Sequence, residues 1–347
     1  MSLISYSAIT TKIRAMQSRL ISDEQLQVLA GSEDVCSAAD FLKQQPAYAD
    51  IFSDLDDTRL HRANIEQLLT LSEYRDFAKL YRFSNVSQRR FLDLYFMQYE
   101  IDVVKQVLRN VLSRQKTVLN LSIFRDFFNR HASIDLVALS QSENLTDFLA
   151  HLEGSAYYNL LAPLSGQNHA ALFDYEMALD LYYFKTIWKI KNKILSRNEQ
   201  KLLDACFGCR LDLLNLQWIY RAKKYYRLAP SDIYALLIPV NYKLCSTDIS
   251  RLAEAPGMEE FFAVLKGTWY GSTHYPDLNE KPDPELLYHE ILNRIYANAG
   301  RRHPYSIAIL DSYLFLKKRE KRRIITILEG IRYGLSSGEI LALTAKQ

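Results

Sequence analysis

Apolar residues recur at three- and four-residue steps through most of the chain, and sustained polar–apolar alternation is almost absent. That periodicity predicts helices and argues against sheets. The stretch "LFLKKREKRRIITILEGIRYGLSSGEI", residues 314–340, shows the pattern under stress. Leu316, Ile324, Ile327 and Ile331 form an apolar stripe, although six of the seven residues from Lys317 to Arg323 are basic. Glu320 falls on the stripe itself. A carboxylate on an apolar line predicts a cationic or hydrogen-bonding partner, because burying it unpaired is costly. Ser22-Asp23-Glu24, Ser231-Asp232 and Ser336-Ser337 read as helix starts, since short side-chain oxygens cap exposed amides there.

The chain also repeats itself. "NLTDFLAHLEGSAYYNL" (144–160) and "GMEEFFAVLKGTWYGST" (257–273) share one frame. Phe148, Ala150, Leu152, Gly154 and Tyr157 match Phe261, Ala263, Leu265, Gly267 and Tyr270, each 113 positions later. Asp135, Leu136 and Leu139 match Asp248, Ile249 and Leu252 at the same offset. Upstream, "EIDVVKQVLRNVL" answers "CRLDLLNLQWIYR", with Asp102 against Asp212. The first half of the unit recurs near the carboxyl end: Asp212, Leu216 and Ile219 lie over Glu320, Ile324 and Ile327. After a slip of one residue, Leu228, Asp232 and Ile233 lie over Leu335, Glu339 and Ile340.

The second half of that third copy is found at the other end, where "LQVLAGSEDVCSAADFLKQQPAYADIF" (26–52) carries the same Leu, Phe-Leu and Tyr order. Both chain ends are therefore expected to build one domain. The expected organisation is all-α, with three related domains: 1–55 together with 281–347, 56–170, and 171–280. Polar, Pro-containing stretches at 52–64, 160–176 and 271–285 read as the joins. Three copies closed in this way predict a pseudo-threefold body rather than an open solenoid, whose terminal repeats would be capped.

Composition narrows the function. A net charge of +3 over 347 residues is too small for a dedicated nucleic-acid binder. Only 11 glycines occur, well below the usual ~7%, which counts against phosphate-cradling loops. The 23 tyrosines suit seams between helices and protein interfaces. The amino terminus has no signal-peptide core, and no apolar run approaches the ~20 residues that span a bilayer. A cytoplasmic protein, touching membrane only through partners, is expected. Candidate chemistry is sparse. Cys206 and Cys209 form the one CxxC, without the second pair that a zinc site needs, and read as core residues. The seven histidines are isolated, and no GxxxxGK[ST], GxGxxG or GxSxG is present. Acid pairs such as Asp56-Asp57 and Glu259-Glu260 read as solvated turns. No catalytic constellation, cofactor site or metal site is expected.

Three stretches carry a resemblance: "SYSAITTKIRAMQSRLISDEQLQVL" at the amino end, "LDLLNLQWIYRAKKYYRLAPSDIYALLIP" (211–239), and "KKREKRRIITILEGIRYGLSSGEI". Together and at this spacing they resemble the C subunit of V/A-type (vacuolar/archaeal-type) rotary ATPases, the family that includes the eukaryotic vacuolar d subunit. The resemblance implies an all-helical funnel of three domains. It also implies a non-catalytic socket, peripheral to the membrane, that joins the central stalk (D- and F-type subunits) to the membrane proteolipid ring. That coupling would serve ATP-driven proton or sodium transport, or ATP synthesis, without a cofactor. The middle copy has one Arg, in "CRLDLLN", where the closing copy has six cations. Lys317, Lys318, Arg319, Lys321, Arg322 and Arg323 are therefore candidates for meeting an acidic partner surface. The alternative is a helical scaffold that binds nucleic acid or an acidic protein through the 317–323 run.

Overall fold

A computed structural model of the chain describes residues 3–53, 61–113, 121, 124–166, 170–274 and 284–345. Every regular element among them is helical, as the periodicity predicts. One plan recurs along the chain. A pair of long helices comes first, then several short ones. The pairs are Arg62–Phe83 with Val86–Ser113, Leu172–Ile194 with Arg197–Leu203 and its continuation Cys209–Arg221, and Pro284–Arg302 with Ile307–Arg332. Short helices Leu136–Leu139, Leu145–His151 and Ala156–Ser165 follow the first pair; Ser246–Glu254, Met258–Gly267 and Trp269–His274 follow the second. Their counterparts Asp23–Ala30, Val35–Lys43 and Ala49–Phe52 stand near the amino end.

The chain divides into two compact units. One comprises Met1–Ser84, Asn198–Leu237 and Asn241–Gln347; the other comprises Asn85–Arg197 and Ile238–Val240. In the first unit, Leu26, Leu29, Ala38, Leu42, Tyr48 and Phe52 from the amino end share one core with Ile324, Ile327, Leu328 and Ile340 from the carboxyl end. A second core in that unit gathers Leu213, Leu216, Ile219, Leu252, Phe261, Leu265 and Tyr270 around helix Pro284–Arg302. The positions matched in the sequence are buried in both copies: Leu139 with Leu252, and Leu152 with Leu265; at the amino end Leu29 and Leu42 are buried as well. The joins expected at 52–64, 160–176 and 271–285 include 54–60, 167–169 and 275–283, which lie outside the described residues, as do Asp56, Asp57 and His169.

Local chemistry explains the helix ends. Ser22 caps Asp23–Ala30 in a full capping box with Gln25. Ser336 pairs with Glu339 ahead of Ser337–Ala345, through bonds of 2.7 Å and 2.9 Å. The start expected at Ser231 lies instead at Pro230, with Ala229 as N-cap. Proline suits the first helical position because its missing N–H would have no partner there. Glu259 and Glu260 occupy the first turn of Met258–Gly267 rather than a free turn, where carboxylates favour the positive end of the helix.

Helix Ile307–Arg332 ends in a left-handed Gly334 (φ 70°), and the Leu335 amide returns to the Gly330 carbonyl at 3.0 Å. The neighbouring Gly330 lets Ser337–Ala345 dock closely, since a Cβ there would lie 2.5 Å from Ile340 Cγ1. Gly330→Ala is therefore expected to lower stability by about 1–3 kcal/mol. A shift in the urea midpoint at unchanged slope measures it.

Candidate functional site

Each long second helix carries a buried acid that is met by a backbone amide and by a tyrosine from the short-helix segments. In the middle copy, Asp212 is fully buried. It accepts from the amides of Tyr242 (3.0 Å), Lys243 (2.5 Å) and Leu244 (2.9 Å), and from the Tyr270 hydroxyl at 2.9 Å. In the closing copy, Glu320 accepts from the Ile21 amide at 2.6 Å and from the Tyr48 hydroxyl at 2.6 Å. Lys317 adds an ammonium at 2.8 Å. In the first copy, Glu100 accepts from the Ser133 amide, from the Ser133 hydroxyl at 3.2 Å, and from the Tyr157 hydroxyl at 2.8 Å.

The first copy corrects the sequence alignment. Asp102, matched to Asp212 by its type, is exposed, whereas Glu100 is buried and makes the corresponding bonds. A helix position two residues away points about 200° around the axis, so the longer Glu, not the Asp, faces the short helices. The tyrosines were legible as a matched position (157 against 270, with 48 in the looser third copy), but not as partners of the acids. Acid on the stripe plus tyrosine in the second half is the signal that was available.

Electrostatics make these joints firm. Burial, followed by the adjacent carboxylate, pushes the hydroxyl pKa of Tyr48, Tyr157 and Tyr270 upward, so each stays a donor. Burial also raises the pKa of Asp212, against the pull of its amides and Tyr270. With all their near donors supplied by the fold, these carboxylates hold elements together.

The basic run is not a free surface. Lys317 is only 1% exposed. Besides Glu320 it donates to the Tyr48 hydroxyl at 3.0 Å and stands 3.8 Å from Asp76, which itself accepts from Tyr313 at 2.6 Å. Lys321 pairs with buried Glu73 at 2.5 Å, and Arg323 with Asp23 at 2.6 Å. Lys318, Arg319 and Arg322 are half-buried on the same helix. The run therefore serves three directions at once: helix Arg62–Phe83, the amino-terminal helices, and its own turn.

Cys206 and Cys209 are buried, as expected of core residues, and burial raises both thiols, Cys209 to about 11. No cluster of three His, Cys, Asp or Glu suited to a metal occurs among the described residues. Asp311 stands out. It is buried, one carboxyl oxygen has no hydrogen-bond partner, and burial pushes its pKa up to about 7 against the pull of Arg210. A carboxyl that binds its proton more tightly when folded contributes most below its unfolded pKa near 4, and that contribution is lost as pH rises to about 7. Asp311→Asn should match the parent near pH 3 and exceed it by about 4 kcal/mol at pH 8. Denaturation midpoints across that range check the sign.

Glu100, Asp212 and Glu320 each tie a long helix to short ones, which is a structural use of buried acids. Known proteins with similar sequences agree. The profile of the ATP synthase (C/AC39) subunit matches residues 9–343. The C subunit of the A-type ATP synthase of Methanosphaera stadtmanae is 22% identical over 338 residues, covering 94% of this chain and 84% of its own length. That of Thermococcus kodakarensis is 23% identical, with 95% and 87% covered, and that of Pyrococcus abyssi 24%, with 96% and 89% covered. The chain belongs to the ATP synthase (C/AC39) subunit family, whose members are non-catalytic accessory parts of V/A-type ATPases.

Proposed function

We propose that the chain is the rotor-coupling subunit of its ATPase: a socket that seats the central stalk, with its D- and F-type subunits, on the membrane proteolipid ring. It would serve ATP-driven proton or sodium transport, or ATP synthesis. In this reading, the domains 1–55 with 281–347, 56–170 and 171–280 form a funnel with pseudo-threefold symmetry, on the cytoplasmic side. Membrane contact comes through partners. No helix among the described residues is long and apolar enough to cross a membrane.

The observation that carries the reading is the closure of Glu320 by Ile21 and Tyr48, residues separated from it by 299 and 272 positions. A part under torque has to resist opening, and joining segments about 300 positions apart through buried, charged hydrogen bonds resists it. Of the six candidate cations, Lys317, Lys321 and Arg323 pair with acids of the chain itself, and Lys318, Arg319 and Arg322 are the ones proposed to meet an acidic partner face.

The test is to recover the tagged chain from gently solubilised membranes and identify what accompanies it. A very small, very apolar ring subunit together with stalk subunits is the expected result. Recovery of the chain alone, or with nucleic acid, overturns the reading. Neutralising Lys318, Arg319 and Arg322 should weaken assembly most at low salt, where charges are least screened, and unchanged assembly at low and high salt removes these residues from the interface.

A further inference from the structure

The one-residue slip between the middle and closing copies has a structural origin. Residues Ala222–Tyr226 form a π-helical turn. In the closing copy the Leu335 amide reaches back five residues to the Gly330 carbonyl; in the middle copy the Leu228 amide reaches back six, to Ala222, at 3.1 Å. The acceptors Gly330 and Ala222 are aligned residues, so the middle copy closes the same helix end with one residue more. The next residue differs as well. The left-handed position is Gly334 in the closing copy but Arg227 (φ 51°) in the middle copy. A side chain at positive φ is strained, and it persists where surrounding structure or function retains it.

The inserted turn pushes side chains outward. Tyr225 and Tyr226 are 60% and 71% exposed, although most tyrosines in this chain pack into seams. Arg221, Lys224 and Arg227 are exposed beside them, while Lys223 turns inward to the Ala253 carbonyl at 2.9 Å. Lys224 is held in place: its ammonium donates to the Tyr220 hydroxyl at 2.6 Å and lies over the Tyr220 and Tyr225 rings, at 4.9 and 5.0 Å from their centroids. No acid interrupts 221–227. Of the flanking acids, Glu254 is tied to Tyr234 at 2.8 Å and Asp232 lies in the next helix. Tyr and Arg are the residue types that most often anchor protein interfaces, whereas none of the six cations of the 317–323 run is fully exposed.

We infer that the π-turn Ala222–Tyr226 with Arg227 is a docking site for a carboxylate-bearing surface of a protein partner: Tyr225 and Tyr226 supply the contact area, and Lys224 and Arg227 supply the charge. The inference rests on the coupling role proposed above, since it gives that role a specific contact. Insertion, strain and exposed aromatics coincide at this copy's helix end, while the aligned closing copy ends on an unstrained glycine with one exposed tyrosine, Tyr333.

The test uses the full chain with purified stalk subcomplex, with purified proteolipid ring in detergent, and with anionic phospholipid vesicles as a separate arm. The variants are Tyr225→Ser with Tyr226→Ser, and Arg227→Gly. Arg227→Gly relieves the left-handed strain, so its Tm should rise while its affinity for stalk or ring falls. That opposition separates a contact from a packing role. The tyrosine pair should weaken the same complex about tenfold or more. Salt should weaken the parent complex more steeply than the Arg227→Gly complex. Parent-like affinity of both variants for stalk and ring overturns the inference, and so does a loss confined to the vesicles. If the parent itself binds neither stalk nor ring, the coupling role fails and the inference falls with it.

Discussion

Glu320→Ala is expected to destabilise the protein by about 3–5 kcal/mol, because it strands a buried ammonium. Lys317 has 2% side-chain exposure, and its next carboxylate, on Asp76, stands at 3.8 Å. The Ile21 amide and the Tyr48 hydroxyl lose their acceptor in the same step. Against a total of roughly 5–15 kcal/mol for a folded domain, this is a large fraction. Urea denaturation at pH 7 measures it, and a loss under 1 kcal/mol would show that the joint between the chain ends carries little. Replacing both charged partners, Lys317→Met with Glu320→Leu, should recover part of the loss, since apolar side chains of similar volume often substitute well for a buried ion pair. Recovery should stay incomplete, because the Ile21 and Tyr48 donors still lack an acceptor.

Asp212→Ala is expected to be at least as damaging, for a different reason. No opposite charge is stranded. Instead three backbone amides and one hydroxyl lose their acceptor together. At roughly 1–3 kcal/mol for each buried donor left unpaired, and allowing for water entering the vacated space, the cost is about 4–6 kcal/mol. Rank order is the sharper test. Tyr270→Phe removes one donor and leaves the carboxylate with three amides, so it should cost only about 1–2 kcal/mol. Asp212→Asn keeps one oxygen but turns an amide donor toward other donors, and should fall between the two. If Tyr270→Phe cost as much as Asp212→Ala, the tyrosine rather than the amides would be the main partner.

Much of this architecture was legible because helical periodicity and repetition are patterns in one dimension. Glu320 on an apolar stripe announced a buried partner, and Leu139 and Leu252 mark one core position twice. Partner identity was not legible. Nothing along the chain ties Glu320 to Ile21 and Tyr48, since the pairing exists only once the ends meet. The 317–323 run was the most conspicuous chemical feature, yet its charge is partly spent inside. A long cationic side chain can lie along a buried face and still reach an acid, so residue type alone does not fix which side it serves. The Asp102 assignment followed residue type, and a two-residue step on a helix reversed the face. The one-residue slip was visible as a gap, but a gap does not say whether a loop lengthens or a helix widens. Here the helix widens, at Ala222–Tyr226.

The closure of Glu320 by Ile21 also sets an order of events in the making of the protein. Ile21 leaves the ribosome 299 residues before its partner. At about 5–20 residues per second, the first helices wait roughly 15–60 s for the segment that completes their core. During that time Leu26, Leu29 and Leu42 lack Ile324, Ile327 and Leu328, the residues they pack with in the finished fold. Glu100, Ser133 and Tyr157 lie within 57 positions of one another and can assemble long before synthesis ends. These early helices are thus secured late, and a chain cut short before Glu320 leaves them without their seat.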